Sequence, residues 1–556
     1  MKRILSLLLC LVLLTMALAS CSDDTPPPTK VDRPNLTLRM AMVVDDKTTA
    51  EGVAAMQKAF NDECKVLLST QVVFECIKAS EYKERMTAIM QDVQAARRQD
   101  SANKEDNMAN GAVVDINAYP DVKNTQFDIL LIADREMYEE FVENGWIVGL
   151  KGHLSANFKV TATKMMAPVR AAATLGGEIY GIPANKAYGT YQYVVVNNEA
   201  LAEYNMDADD IHSLADAYGI LTSMKIATGS GKTLAYWQEK YGSDFAVIAA
   251  KEENFNTPNV KFLSRDFTTP SFIGSSFGFD TTMDYMLASP ATNLLKDANY
   301  TRFLTMKYDA KKSGYFGTGS EENFLIGLAE GDYALRNSKP GYTFCPIMLP
   351  EVGNDEVFGG MLAVSNFSVD QKRSMEIVQE FMTDATGAGL LNIALFGDDT
   401  TNYFMENGAV KYRNMSNYGV HKDYMFGNLR EFAYPCADYG QTADTYLNAA
   451  AQITDTGSRM PLFNEDFAAY FAEVDLAKWQ AADELSKTTM ETLMNSADMD
   501  KFLENIEVLA AELDADENFT ALVNAGVGDD WTLYDLGGAF HKYILDRLKG
   551  TSIVEK

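Results

Sequence analysis

The repeat of apolar residues switches back and forth between two and about 3.6 across Leu36–Asn144, and that alternation leaves few folds open to this chain. Leu36, Leu38, Met40 and Met42 alternate along a strand over Leu36–Val44. Asp45, Asp46 and Lys47 make a polar turn, Thr48 with Glu51 reads as a capping box, and Val53, Met56 and Phe60 recur at helical spacing. Val72–Ile77 reads as a second strand, and Ser80 opens a helix carrying Met86, Ile89, Met90 and Val93. The polar stretch 97–125 shows no period and reads as a surface loop. Phe127–Ile132 is a short apolar strand, followed by a helix over Arg135–Asn144 that stops at Gly145. Strand and helix in strict alternation predict a parallel sheet with helices on both faces. Ligands of such sheets bind beyond the carboxyl ends of the strands. Asp45 and Asp46, and Asp134 and Arg135, are therefore candidate ligand contacts, with Asp134 placed to bond a ligand hydroxyl.

The first 35 residues set the compartment. Lys2 and Arg3 precede an apolar run from Ile4 to Leu18, and Ala19, Ser20 and Cys21 follow. This is the order of a secretory signal, residues 1–20, ending in the lipobox pattern of bacterial lipoproteins. Cys21 is the expected lipidation site and membrane anchor, since two acyl chains hold a protein stably. About fifteen apolar residues are short for a span of roughly twenty. Residues 21–35 include Pro26, Pro27, Pro28 and Pro34 and read as an extended tether.

Charge narrows the partners. The formal charge is -30, and removing Lys2 and Arg3, with no acid among the first 20 residues, makes it -32. That argues against nucleic acid or an anionic membrane surface as a partner. Outside the signal and Cys21, four cysteines remain (Cys64, Cys76, Cys345, Cys436), without the Cys-x-x-Cys spacing of a zinc site. Export permits disulfides, and a Cys64–Cys76 bridge is conceivable. Four scattered histidines show no ligand spacing. Thr228-Gly229-Ser230-Gly231-Lys232-Thr233 resembles the end of a phosphate loop, but Ile226 stands where that motif needs glycine.

Further along, Gly176–Lys186 (GGEIYGIPANK) gives a turn and short strand, and Tyr188–Asn197 a strand rich in aromatic and β-branched residues. Phe358–Ser365 is another strand, with a helix over Gln371–Thr383. From about Phe404 the chain reads as largely helical, closing on an amphipathic helix over Tyr534–Leu548.

These pieces in this order resemble family 1 extracellular solute-binding proteins, the lipoprotein receptors of ABC-type sugar importers. The resemblance is carried by the lipobox and the opening strand–helix–strand. It is also carried by FDILLIADREMYEEFVENGWIVG at Phe127–Gly149, Gly-x-x-Tyr-Gly-Ile-Pro with the later VVNNEAL, Gly327–Asp332, the Pro346–Pro350 strand, and Phe358–Ser365. It spans roughly Leu36–Asn402 and fades from about Gly440.

The resemblance implies an α/β, two-lobed type II periplasmic-binding-protein-like fold with a hinge of crossing strands. Lobe one would contain 36–194 and 358–403, lobe two 195–357, and the helical region 404–556 would lie mostly in lobe two. It implies a monomer that captures an oligosaccharide by hinge closure and delivers it to an ABC permease, with no catalysis and no cofactor or metal. Sugars are held by aromatic faces and by amides and carboxylates. The implied contacts are Asn185, Lys186, Tyr188 and Tyr191 near the crossing and Gly360 at the return. Asn402 and Tyr403 follow in a Gly-then-Tyr pattern, with Trp237 in lobe two. Two alternatives stay open. A lipid-anchored glycoside hydrolase would need two carboxylates across a cleft, and an adhesion lipoprotein would transport no ligand.

Overall fold

The computed structural model describes residues 33–109, 126–228, 233–257, 260–262, 271–276, 292–350, 356–413, 417–442, 444–456, 476–525, 531–532 and 535–536. The signal segment, Cys21 with its tether up to residue 32, the Gly229–Lys232 turn and most of the helix expected over Tyr534–Leu548 lie outside these residues. Asp535–Leu536, the described part of that stretch, pairs with Trp531–Thr532 as a short antiparallel ladder.

Lobe one begins with β1 (Leu36–Val44), α1 (Ala50–Leu68), β2 (Thr70–Lys78), α2 (Tyr82–Ala109), β3 (Ile129–Ile132) and α3 (Arg135–Glu143). β1 pairs in parallel with β2 along its whole length and in parallel with β3. It is buried on both faces from Met40 to Val44, because helices cover the sheet on either side. Thr49, one residue later than expected, caps α1 by accepting from the Gly52 N–H. The expected loop over 97–125 begins as helix, since α2 runs on to Ala109.

The chain then enters lobe two. There β4 (Tyr191–Asn197), β5 (Ala246–Ala249), β6 (Phe324–Gly331) and β7 (Tyr342–Met348) form a second sheet in the order β7-β4-β6-β5. β4 is antiparallel to both β6 and β7. Its period-two alternation sorts side chains to two cores. Val194 and Val196 join the large core with Trp237, and Tyr191, Tyr193 and Val195 join Phe324 and Phe344 on the other face.

The chain returns at Val357 and Phe358, both in the core of lobe one, and β8 (Met361–Val364) adds to β3 antiparallel. The first sheet is thus ordered β8-β3-β1-β2. Two helices follow, α4 (Gln371–Thr383) and α5 (Leu390–Phe396), and then the hairpin β9 (Tyr403–Glu406) and β10 (Ala409–Tyr412).

This last stretch corrects the expected domain plan. The described residues of 404–440 are neither largely helical nor part of lobe two. Val410, Tyr412, Tyr418, Val420, Phe426 and Cys436 are buried in the core of lobe one. Val44 bridges Val420, so this segment closes over the end of β1. Its apolar residues follow no regular period, which is why the sequence hid its place. Lobe two resumes with α6 (Thr445–Thr456), α7 (Leu476–Met494), α8 (Met499–Ala515) and α9 (Glu517–Ala525). Leu493, Phe502 and Leu513 enter its core. The crossing also comes before residue 194, where lobe one was expected to end. β4 lies wholly in lobe two, so the outgoing chain passes between lobes over Tyr188–Thr190.

All four described cysteines are free, including Cys64 and Cys76, so the conceivable bridge is not formed. Burial pushes the Cys64 and Cys76 thiols up to about 12. Among the described residues no helix is long and apolar enough to cross a membrane, and no group of three or more His, Cys, Asp or Glu could hold a metal ion.

Candidate functional site at the lobe crossing

A cavity of about 540 Å³ opens where the outgoing crossing meets the carboxyl end of β3. Its walls come from four stretches far apart in sequence: Ala133, the crossing Lys186–Thr190, Lys422–Tyr424, and Glu356 with Gly359 of the return. The third is seated by the glycine pair. A Cβ on Gly359 would stand 3.0 Å from the Asp423 carbonyl, and one on Gly360 only 2.3 Å from the Met425 carbonyl. Gly360 also has φ +81°, a left-handed conformation that disfavours any side chain. Gly360 therefore acts through close backbone approach, holding the 422–425 loop against the return strand.

The crossing is tied from both sides. The Gly189 N–H donates to Glu356 Oε2 at 2.8 Å, and Thr190 Oγ1 donates to Glu330 Oε1 at 2.7 Å. Gln452, buried on α6, donates from Nε2 to the carbonyls of Tyr188 (3.1 Å) and Gly189 (2.7 Å). Its Oε1 accepts from the Tyr333 N–H of lobe two at 3.1 Å. One side chain thus satisfies two carbonyls at the crossing and fastens them to the second lobe.

Of the expected contacts, the structure brings Lys186 and Tyr188 together in this cavity. Tyr188 is buried, its hydroxyl donating to the Ala184 carbonyl at 2.7 Å, and its ring forms a wall. The Lys186 ammonium stands 5.2 Å from the centroid of that ring. Burial lowers its pKa, and the charges of Glu356 and Asp423 offset part of that. Asp134 lies just beyond the cavity wall at Ala133. It caps α3 through the Met137 N–H and pairs with Lys83 at 3.0 Å. Its charge, with that of Asp423, adds to burial in raising the Tyr424 phenol.

The remaining candidates do other work. Asp45 shapes its turn by accepting from the Lys47 N–H, and Asp46 is exposed beside it. Arg135 pairs along its own helix with Glu139. Asn185 is 5 % exposed and bonded to Asn428, which locks lobe one internally. Tyr191 is fully buried under α6 and hydrogen-bonds Asp455 there, with the Arg336 guanidinium 5.1 Å over its ring.

Asn402 is fully buried. It accepts from the Asp398 N–H at 2.7 Å and fills the space beside Gly397, whose φ is +87°. Tyr403 packs edge-on to Phe396. The Gly-then-Tyr pattern is thus a turn clamp inside lobe one. Trp237 is also corrected. It is fully buried in lobe two, stacked on Tyr241 and Phe245, because an indole that size gains more from stacking in a core.

Thr190, Glu356, Lys422, Asp423 and Tyr424 were missed. Glu356 lies four residues before Gly360 and was within reach of a reading that followed the return strand upstream. The 422–424 turn carried no signal, since only folding brings it to a crossing more than 230 residues earlier.

No family model matches the sequence, and no curated protein is significantly similar to it in sequence. Several solved structures align with most of the chain at low identity. The N-glycan transport solute-binding protein of Streptococcus pneumoniae is 14% identical, with TM-score 0.48, covering 94% of this chain and 100% of that one. An extracellular solute-binding protein from Bifidobacterium longum subsp. infantis is 11% identical, with TM-score 0.41, covering 89% and 99%. The sugar-binding protein MalE of Xanthomonas citri is 10% identical, with TM-score 0.34, covering 87% and 98%. By its own strand orders and crossings the chain folds as two α/β lobes.

Proposed function

We propose that this protein is a lipid-anchored receptor that captures an extracellular oligosaccharide between its lobes and presents it to an ABC permease. The observation that carries the reading is the cavity at the crossing, whose walls include the very residues that join the lobes. A ligand there touches the hinge itself. Closure can then exclude water around it, which strengthens each polar contact. The equilibrium shifts only by the ligand's preference for the closed state. The lining suits a sugar: aromatic surface from Tyr188 and Tyr424, hydroxyl-bonding groups on Thr190, Glu356 and Asp423, and ammonium groups on Lys186 and Lys422. No proton transfer or nucleophile is needed. Anchoring through Cys21 follows from the sequence pattern alone and would be read by mass spectrometry of the membrane fraction.

A thermal-shift screen against neutral, acidic and amino oligosaccharides and short peptides tests the ligand class. A saccharide at 100 times its Kd stabilises by about 2.7 kcal/mol. A rise with saccharides alone supports the reading, and a rise only with peptides overturns it.

A further inference from the structure

We infer that the hinge cavity selects an oligosaccharide bearing an acidic group, and that Lys186 is the residue that selects it. This rests on the solute-capture reading and narrows its ligand. The charged groups of the cavity are not alike. Glu356 is engaged by the Gly189 N–H at 2.8 Å, and Asp423 is exposed to solvent on the rim. Just outside the wall, Lys83 is paired with both Asp134 and Glu136. Lys186 differs from all of these. Among the described residues its ammonium makes no ion pair within 4.0 Å and no side-chain hydrogen bond, although it lines the cavity and is partly buried.

The Tyr188 ring and the charges of Glu356 and Asp423 offset only part of the cost of withdrawing this cation from water, and a contacting ligand anion would recover more of it than a neutral hydroxyl. The Tyr188 ring beneath it is fixed by the bond to Ala184, so the ammonium is presented from a rigid surface. The overall charge of -30 opposes an anion at long range. That field is screened beyond about 8 Å at physiological salt, whereas a contact pair in a partly dry cavity is not. The local pairing therefore decides affinity, and the distant field slows encounter.

The test is calorimetric titration of the protein with matched neutral, uronate-containing and sulfated trisaccharides of the gluco, galacto and manno series. The two acidic arms separate a carboxylate from a sulfate. The expected result is an acidic sugar bound at least about tenfold more tightly than its neutral counterpart. Lys186→Met should cut that affinity by roughly 10- to 100-fold and weaken the neutral sugar by a clearly smaller factor. Lys186→Arg, which keeps the charge, should retain the preference. Neutral sugars bound as tightly as acidic ones, or an equal loss for both on Lys186→Met, overturn charge selection and leave solute capture standing. No saccharide binding at all overturns both.

Discussion

Two cavities invite comparison. One, of about 540 Å³, lies at the crossing; the other, of about 700 Å³, lies wholly inside lobe two. The larger is walled by α7 (Ser486, Met490, Met494), by Phe272 and by Glu252 and Lys311. A smaller cavity of about 290 Å³ shares Glu252, Met490 and Met494 with it. Volume favours lobe two, but the proposed hinge closure favours the crossing. A ligand held between elements of one lobe has no differential contact with open and closed states, so it cannot shift the equilibrium between them. A ligand against Lys186–Thr190 and Glu356 touches the chain at the points where the lobes are joined. What separates the two cavities is connection to the hinge, and size says nothing about it.

The same contrast sorts the aromatic residues, and the largest expected effect breaks the sequence-level expectation directly. Trp237→Ala should destabilise lobe two by about 3–5 kcal/mol, because it empties a stacked core position. Ligand affinity of the folded fraction should stay unchanged. Chemical denaturation followed by calorimetry of the refolded sample checks both halves.

Tyr424→Ala should do the reverse. The ring is partly buried and forms a cavity wall, so stability should fall little while ligand affinity falls roughly tenfold or more. Equal affinity for Tyr424→Ala and the parent protein would move the site away from the crossing.

Asn402→Ala leaves the Asp398 N–H without its partner, at a cost of about 1–3 kcal/mol. Thermal unfolding should show the loss, and titration should show no change in binding.

Gln452→Ala removes three hydrogen bonds that join the crossing to lobe two. Here the effect should appear in both readouts: about 1–3 kcal/mol in stability, with a weaker ligand response because the hinge is less well defined. An unaltered ligand affinity would make α6 a purely structural brace.

The smallest effect belongs to the lobe-two cavity. Met490→Trp fills part of it, and capture at the crossing should stay within about twofold, as for distant independent sites. A loss of binding in this variant would reverse the comparison.

The sequence showed lobe one's framework because its signals are local. Alternation along Leu36–Val44, the apolar run ending at Ile132 and the glycine stop at Gly145 each depend on a handful of neighbours. The crossing was legible for similar reasons. Lys186 and Tyr188 sit between a Gly-Ile-Pro turn and a β-branched strand, so their position between lobes could be read. The rest of the site was not, since Tyr424 and Asp423 reach it only through irregular chain that packs under β1. The misplaced candidates share one cause. Tyr191, Asn402 and Trp237 are residue types that suit a sugar and equally suit a core. Burial decides between the two uses, and burial is set by distant partners such as Asp455, Gly397 and Tyr241.

Small-angle scattering of the protein with and without its best saccharide ligand tests closure around the crossing most directly. Saturation should lower the radius of gyration, and Tyr424→Ala should need correspondingly more ligand for the same contraction. Tight saccharide binding with an unchanged radius of gyration would contradict the account.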